Sequence, residues 1–357
     1  MITVKAPGKL FIAGEYAVVD GMPSILTALN RYITVSIKAG HKYGSILSEQ
    51  YQASIIYWRR EENKIVFDNR DNPFRYILSA IKITEQYARS LHVKLGLYHL
   101  KINSQLDSSN GKKYGLGSSA AVTVATIHAI CKFYHLPITK KKLFKLAAIA
   151  HFSVQGNGSL GDIATSVYGG WIAFNTFDHQ WLNIMQRSVS IKELINKSWP
   201  KLRIEPLQPP KNLKLLIGWT GSPASTSQLV DRVSLGKARH PNEYQKFLQR
   251  SKRCIKKMIN GFHNGSLSTI KHEIIINRKL LNQLGQFTHV AIETPALKRL
   301  CKIASLSGGA AKSSGAGGGD CGIVIIKSDA AINQILKRWQ QHQIYPLKFQ
   351  VCQVPND

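Results

Sequence analysis

Lys9, Ser118, Ser119 and Asp162 are the residues of this 357-residue chain whose types and settings could do chemistry. The two serines stand in K-Y-G-L-G-S-S-A-A, Lys113 to Ala121, where Gly115 and Gly117 open backbone angles closed to other residues. Either serine can cap a helix running through Ala120, Val124, Ile127 and Ile130 to Phe133, ended before Pro137. A glycine turn that delivers backbone N–H groups at a helix N-terminus is an anion site, for phosphate above all. The serine hydroxyls add donors, or an oxygen ligand for a magnesium ion. The alternative is a plain turn and cap. Lys9 follows Pro7-Gly8, which force a turn, and enters the apolar run Leu10, Phe11, Ile12. A lysine flanked by strand hydrophobes either snorkels to the surface or points its ammonium into a site. Asp162 closes Q-G-N-G-S-L-G-D and is the first carboxylate after Asp107, in a strongly basic region. It is either a helix cap or a group facing ligand, and its isolation among glycines favours the ligand.

Two loops of the second half belong with these. T-G-S-P-A-S-T-S holds Gly221, Ser222, Ser225 and Thr226, a second anion cradle or a simple hydroxyl-rich turn. A-K-S-S-G-A-G-G-G-D-C-G (Ala311 to Gly322) places five glycines in eight residues beside Ser313, Ser314 and Asp320. Such a run implies main chain packed against a ligand or another loop.

Familiar nucleotide motifs fail. The Walker A pattern is absent. A Rossmann turn would need a strand before Gly115 and an acid about 20 residues on. Instead Ser108-Ser109-Asn110-Gly111 precedes it, and no Asp or Glu lies between Asp107 and Asp162. The glycines at 317, 319 and 322 precede a strand rather than opening a helix.

Elements must position these loops. Met1 to Val4, Arg31 to Lys38, Ala53 to Trp58 and Val93 to Ile102 read as strands, and Pro73 to His92 as an amphipathic helix. Thr139 caps a helix carrying Leu143, Leu146, Ala147 and Ala150. Trp181 to Pro210, with weak periodicity and prolines at 206, 209 and 210, holds the domain boundary, giving domains 1–205 and 206–357. The second opens with the strand Leu213 to Trp219 and continues with helices at 242–260, 267–284 and 294–306. Strand Ile323 to Ile326, a helix at 330–340 and strand Tyr345 to Val351 complete an α+β domain.

Length allows two cores, and a hydrophobic content of 44% is that of a globular protein. No apolar run reaches the ~18 residues that span a bilayer. The first residues lack signal-peptide layout, and five scattered cysteines form no disulfide framework, so the expectation is a cytoplasmic protein without a membrane. The twelve histidines form no H-E-x-x-H, which speaks against a transition-metal site. The net charge of +28 suits nucleic acid or a solvated surface that draws anionic metabolites. No RNP-like strand, zinc finger or basic arm supports nucleic acid, which is not expected as a partner.

Three loops in this order, A-P-G-K-L…G-E-Y-A-V-V, G-L-G-S-S-A and K-S-S-G-A-G-G-G-D-C-G, resemble the small-molecule kinases of the galactokinase, homoserine kinase, mevalonate kinase and phosphomevalonate kinase (GHMP) superfamily. L-F-I-A-G-E-Y-A-V-V, G-W-T-G-S-P-A-S-T and Q-G-N-G-S-x-G-D look like its bacterial phosphomevalonate kinase branch. The resemblance implies an α+β GHMP kinase fold, with an N-terminal domain like ribosomal protein S5 domain 2 and a ferredoxin-like C-terminal domain. ATP and an acceptor, 5-phosphomevalonate, would meet between them, in a monomer or homodimer. It places ATP on Lys113, Gly115, Leu116, Gly117, Ser118, Ser119 and Ala120, with Mg²⁺ near Ser119. It places the acceptor near Lys9, Ser159, Ser222, Ser225, Ser314, Gly315 and Ala316, with the third loop closing over it. Mevalonate kinases carry a magnesium-binding Glu eleven positions before the catalytic Asp; here that position is His151, so no carboxylate ligand carries over.

Lys9 and Asp162 are then the catalytic pair. An alcohol acceptor, as in a mevalonate kinase, would need Asp162 as general base. A phosphomonoester, with a second pKa of about 6, needs none. Lys9 would then sit between acceptor and γ-phosphate, oriented by Asp162. A non-catalytic binding protein of the same fold and a nucleic-acid binder are the rival functions.

Overall fold

The computed structural model describes residues 1–48, 54–61, 64–67, 74–107, 114–222 and 226–355. A large sheet is built from β1 (Ile2–Ala13), β2 (Ser24–Gly40), β3 (Gly44–Ser48), β4 (Ser54–Glu61), β5 (Lys64–Phe67), β6 (Leu97–Ser104), β7 (Trp171–Asn175) and β8 (Arg203–Leu207). Its order is β5-β4-β3-β6-β2-β7-β8, with β1 pairing along β2. Helices α1 (Arg75–Ser90), α2 (Ser118–Phe133), α3 (Lys140–Gln155) and α4 (Gly161–Tyr168) follow the same chain order, and α2 and α4 pack on β1 and β2. Eleven residues of α2 are buried, on every side of it. A helix apolar all round belongs in the middle of a core, and α1 and α3 cover it.

The expected turn at Pro7-Gly8 is instead a shift of register inside one continuous strand. Proline has no N–H for the ladder, so a bulge accommodates it without ending the strand. The bulge aims Lys9 at the glycine turn: Lys9 N bonds Leu116 O at 2.8 Å.

Two short helices, α5 (His179–Ser188) and α6 (Ile191–Asn196), occupy the stretch read as weakly periodic. The Asp178 carboxylate accepts from Trp181 N, and Ser190 with Glu193 forms a capping box. Ten and six residues give too few turns for a period to show.

The second sheet orders as β10-β11-β9-β12, from β9 (Leu213–Trp219), β10 (Ala310–Ser313), β11 (Cys321–Lys327) and β12 (Tyr345–Leu347). It is covered by α9 (Leu267–Thr288), α10 (Pro295–Leu306) and, at β12, α11 (Ile332–Gln341), while α7 (Thr226–Arg239) and the long α8 (Pro241–His263) pack on α9. Beyond β12 the chain crosses back to the first sheet. Val351 bridges Leu29, Gln353 bridges Gly169, and Gly170 N donates to Cys352 O at 2.7 Å. Among the described residues no helix is long and apolar enough to cross a membrane.

Candidate active site

A cavity of about 740 Å³ lies where the three glycine-bearing loops meet. Its walls bring together Lys9, Gly115, Leu116, Gly117, Ser118, Ser119, Ser159, Asp162, Gly315 and Ala316. Lys113 and Ser225 lie outside the described residues. Ser222 is exposed and offers its carbonyl to Asp320 N at 2.8 Å, and it is not part of the cavity wall. The Ser314 hydroxyl donates to Phe11 O at 2.7 Å, a bond between the two domains, and also stands outside the wall. Ala120 is wholly buried behind the turn.

Neither serine caps α2. The N-cap is Gly117, left-handed at φ 77° and without a side-chain cap bond. Its lack of a Cβ lets it sit between two side chains: a Cβ there would come within 3.0 Å of Lys9 Cγ and 3.5 Å of Asp162 Cβ. Ser118 and Ser119 thus enter the first turn with hydroxyls that the cap does not consume, above N–H groups and the positive end of the helix dipole.

Lys9 is held twice, through its own backbone bond to Leu116 and through Nζ, which donates to Gly115 O at 2.9 Å. No ion pair joins Lys9 to Asp162 among the described residues. Asp162 lies in the first turn of α4, and its Oδ1 accepts from Ile163 N at 3.0 Å. The carbonyl of the glycine turn therefore orients the ammonium, and Asp162 faces the same cavity across Gly117.

His151 reaches Ser119 from α3. Its Nε2 stands 3.1 Å from Ser119 Oγ, the ring stacks on Tyr76 at 4.8 Å, and Nδ1 is buried without a partner. The imidazole is 1% exposed. Burial pushes its pKa below 6.5, against the smaller pull of the Asp162 charge. Burial lowers His179 in the same way. Above pH 6.5 these rings are neutral whether folded or not. Below it the unfolded chain takes up protons that the native rings refuse, so native stability falls with pH. Urea midpoints should drop between pH 7 and 5, and His151→Gln should flatten that slope; an unchanged slope would remove His151 from the cause.

The cradle fits a nucleotide phosphate chain. The Ser119 hydroxyl is the kind of oxygen a magnesium ion would take, whereas the His151 nitrogen suits it poorly. Among the described residues no group of three or more His, Cys, Asp or Glu could hold a metal. Glu15, Tyr16 and Asp320 also line the cavity; they stand in the first and third glycine-bearing motifs, which gave them no individual role, and no signal in the sequence pointed to the bond between His151 and Ser119.

A lysine and a carboxylate set around an uncapped helix N-terminus, in a cleft between two α+β domains, are the parts of a phosphoryl-transfer site. Known proteins place the chain more closely. The description "GHMP kinases N terminal domain" matches residues 75–170, and "GHMP kinases C terminal" matches residues 255–344. The chain is 36% identical to a phosphomevalonate kinase of Streptomyces sp. (strain CL190), covering 96% of this chain and 95% of that one. It superposes on the crystal structure of a Lin0012 protein from Listeria innocua with a TM-score of 0.92, at 38% identity and 99% coverage of both chains. It also superposes on Streptococcus pneumoniae phosphomevalonate kinase in complex with phosphomevalonate and AMPPNP, at a TM-score of 0.86 and 27% identity, covering 99% of this chain and 100% of that one. The chain belongs to the GHMP kinase family.

Proposed function

We propose that the chain is a phosphomevalonate kinase, transferring the γ-phosphate of ATP to 5-phosphomevalonate to give 5-diphosphomevalonate and ADP, a step of isoprenoid precursor synthesis. The observation that carries the reaction type is Lys9 Nζ fixed on the carbonyl of the phosphate-binding turn. The acceptor rests on the full-length likeness to the Streptomyces enzyme.

An acceptor that is already a phosphomonoester has a second pKa of about 6, so at neutral pH its oxygen attacks as an anion. The difficulty is to hold two polyanions in line, and alignment with charge neutralisation is most of the catalysis. The N–H groups of residues 117–119 hold the nucleotide phosphates, and Lys9 balances charge between donor and acceptor. Asp162 shapes the field on the far side of Gly117 and is not required to take a proton. Mg²⁺, when bound, neutralises charge on the phosphates; Ser119 is the protein oxygen that would hold it, with His151 fixing that hydroxyl.

Ser119→Ala should raise the Mg²⁺ concentration for half-maximal rate roughly tenfold, about 1.4 kcal/mol. Magnesium titration of the rate, with calorimetry of Mg²⁺-nucleotide binding, checks this. An unchanged requirement would take Ser119 out of the metal site. The function itself is tested by following ADP release from Mg-ATP with mevalonate, 5-phosphomevalonate and homoserine in turn. Turnover with 5-phosphomevalonate alone is expected. Turnover with mevalonate would make the acceptor an alcohol and Asp162 its base.

A further inference from the structure

A buried ion pair joins the two domains beside the cavity, and the chemistry above makes no use of it. Glu15 stands in the turn after β1 and Lys312 in β10. Their side chains are 2% and 0% exposed, and Lys312 Nζ meets Glu15 Oε1 at 2.5 Å. Lys312 is fully enclosed, whereas Glu15 is part of the cavity wall. The same Glu15 oxygen accepts from Gly315 N at 3.3 Å, and the Lys312 ammonium also donates to Ser313 O. Next to it Tyr16 donates its hydroxyl to Ala316 O at 2.6 Å. Tyr16 does so from φ 62°, a backbone region that side chains with a Cβ rarely adopt.

Burying two charges costs desolvation that their attraction barely offsets, and apolar residues of similar size would often hold two domains as well. What the ion pair adds is direction. All these bonds converge on residues 313–316, the segment that meets the first domain at the cavity. We propose that Lys312 is a positioning residue: through Glu15 it holds Gly315 and Ala316 as a preformed wall against the acceptor. The wall is thus set by the latch before substrate arrives. This rests on the phosphoryl-transfer reading, in which the acceptor lies against the third loop.

The test uses Lys312→Met, the neutral pair Glu15→Gln with Lys312→Met, and Tyr16→Phe. Each is assayed with ATP and 5-phosphomevalonate for the acceptor KM, the ATP KM, kcat and the thermal midpoint. Lys312→Met should raise the acceptor KM at least 20-fold and the ATP KM less than threefold. The neutral pair should regain thermal stability and fall between wild type and the single variant in acceptor KM. Tyr16→Phe, which keeps the buried pair, should raise the acceptor KM about fivefold with its midpoint unmoved. If Lys312→Met does not fold, the neutral pair decides: an acceptor KM above wild type with the ATP KM unmoved supports the proposal, and unchanged KM values overturn it. Equal rises in both KM values, or a lower midpoint with both KM values unchanged, would reduce the pair to a structural contact and overturn the proposal. Wild-type enzyme is the control. If it turns over a different acceptor, the substrate assignment fails while the same split is read with that acceptor.

Discussion

Lys9→Met is expected to lower kcat about a thousandfold, roughly 4 kcal/mol of transition-state stabilisation, with the nucleotide still bound. The side chain is kept in place by Gly115 O rather than by a carboxylate, so its charge is available to the phosphates that would lie across the turn. Methionine keeps the length and the packing along Gly117 but removes the charge, and among the described residues no other lysine or arginine lines this cavity. Asp162→Asn should cost about tenfold or less, because an anionic acceptor needs no base and the carboxylate makes no ion pair with Lys9. Single-turnover rates with both variants, together with nucleotide binding by calorimetry, separate the two roles. A larger loss in Asp162→Asn than in Lys9→Met would restore general-base chemistry and unseat the phosphomonoester acceptor.

Gly317→Ala should damage the third loop far more than Gly315→Ala. Gly317 sits at φ 75°, and a Cβ there would lie 2.2 Å from Ile292 O. That carbonyl is backbone, and it accepts from Gly318 N at 2.9 Å, so it cannot swing aside without releasing the loop. Gly315, at φ 76°, has nothing within 4 Å of the same position. Gly315→Ala therefore carries only left-handed strain, about 1 to 2 kcal/mol. Gly317→Ala adds the collision, for a loss of roughly 3 to 5 kcal/mol. Denaturant unfolding of the two variants measures the difference. Equal stability would mean that the loop has room the geometry denies.

What could be read from the residues was local. The strand at 213–219 was legible to the residue, because an apolar run between a proline pair and a threonine-glycine turn has sharp ends. The helix after the glycine turn was legible too, but its cap was misassigned. Serine is the commoner cap, yet here a left-handed glycine serves as cap and both hydroxyls enter the first turn. β10, four residues long, disappeared into a glycine-rich loop because it is too short to alternate. The contacts missed at the site share a different cause. His151 meets Ser119 across 32 residues and Lys312 meets Glu15 across 297, and no period or spacing encodes such contacts. They are made by α3 lying against α2 and by β10 arriving at the end of β1.

The crossing of residues 350–353 back to the first sheet has a consequence for synthesis. Asn30 N bonds Gln350 O, Cys352 N bonds Ala28 O, and Gly170 N bonds Cys352 O. A ribosome must translate the whole second domain before these partners exist. Until then the nascent first domain carries an unfinished strip beside Ala28 and Gly170, on the same β2 that supports β1 and Lys9. The domain made first is therefore completed last, and that unfinished strip is where a chaperone would be expected to engage the growing chain.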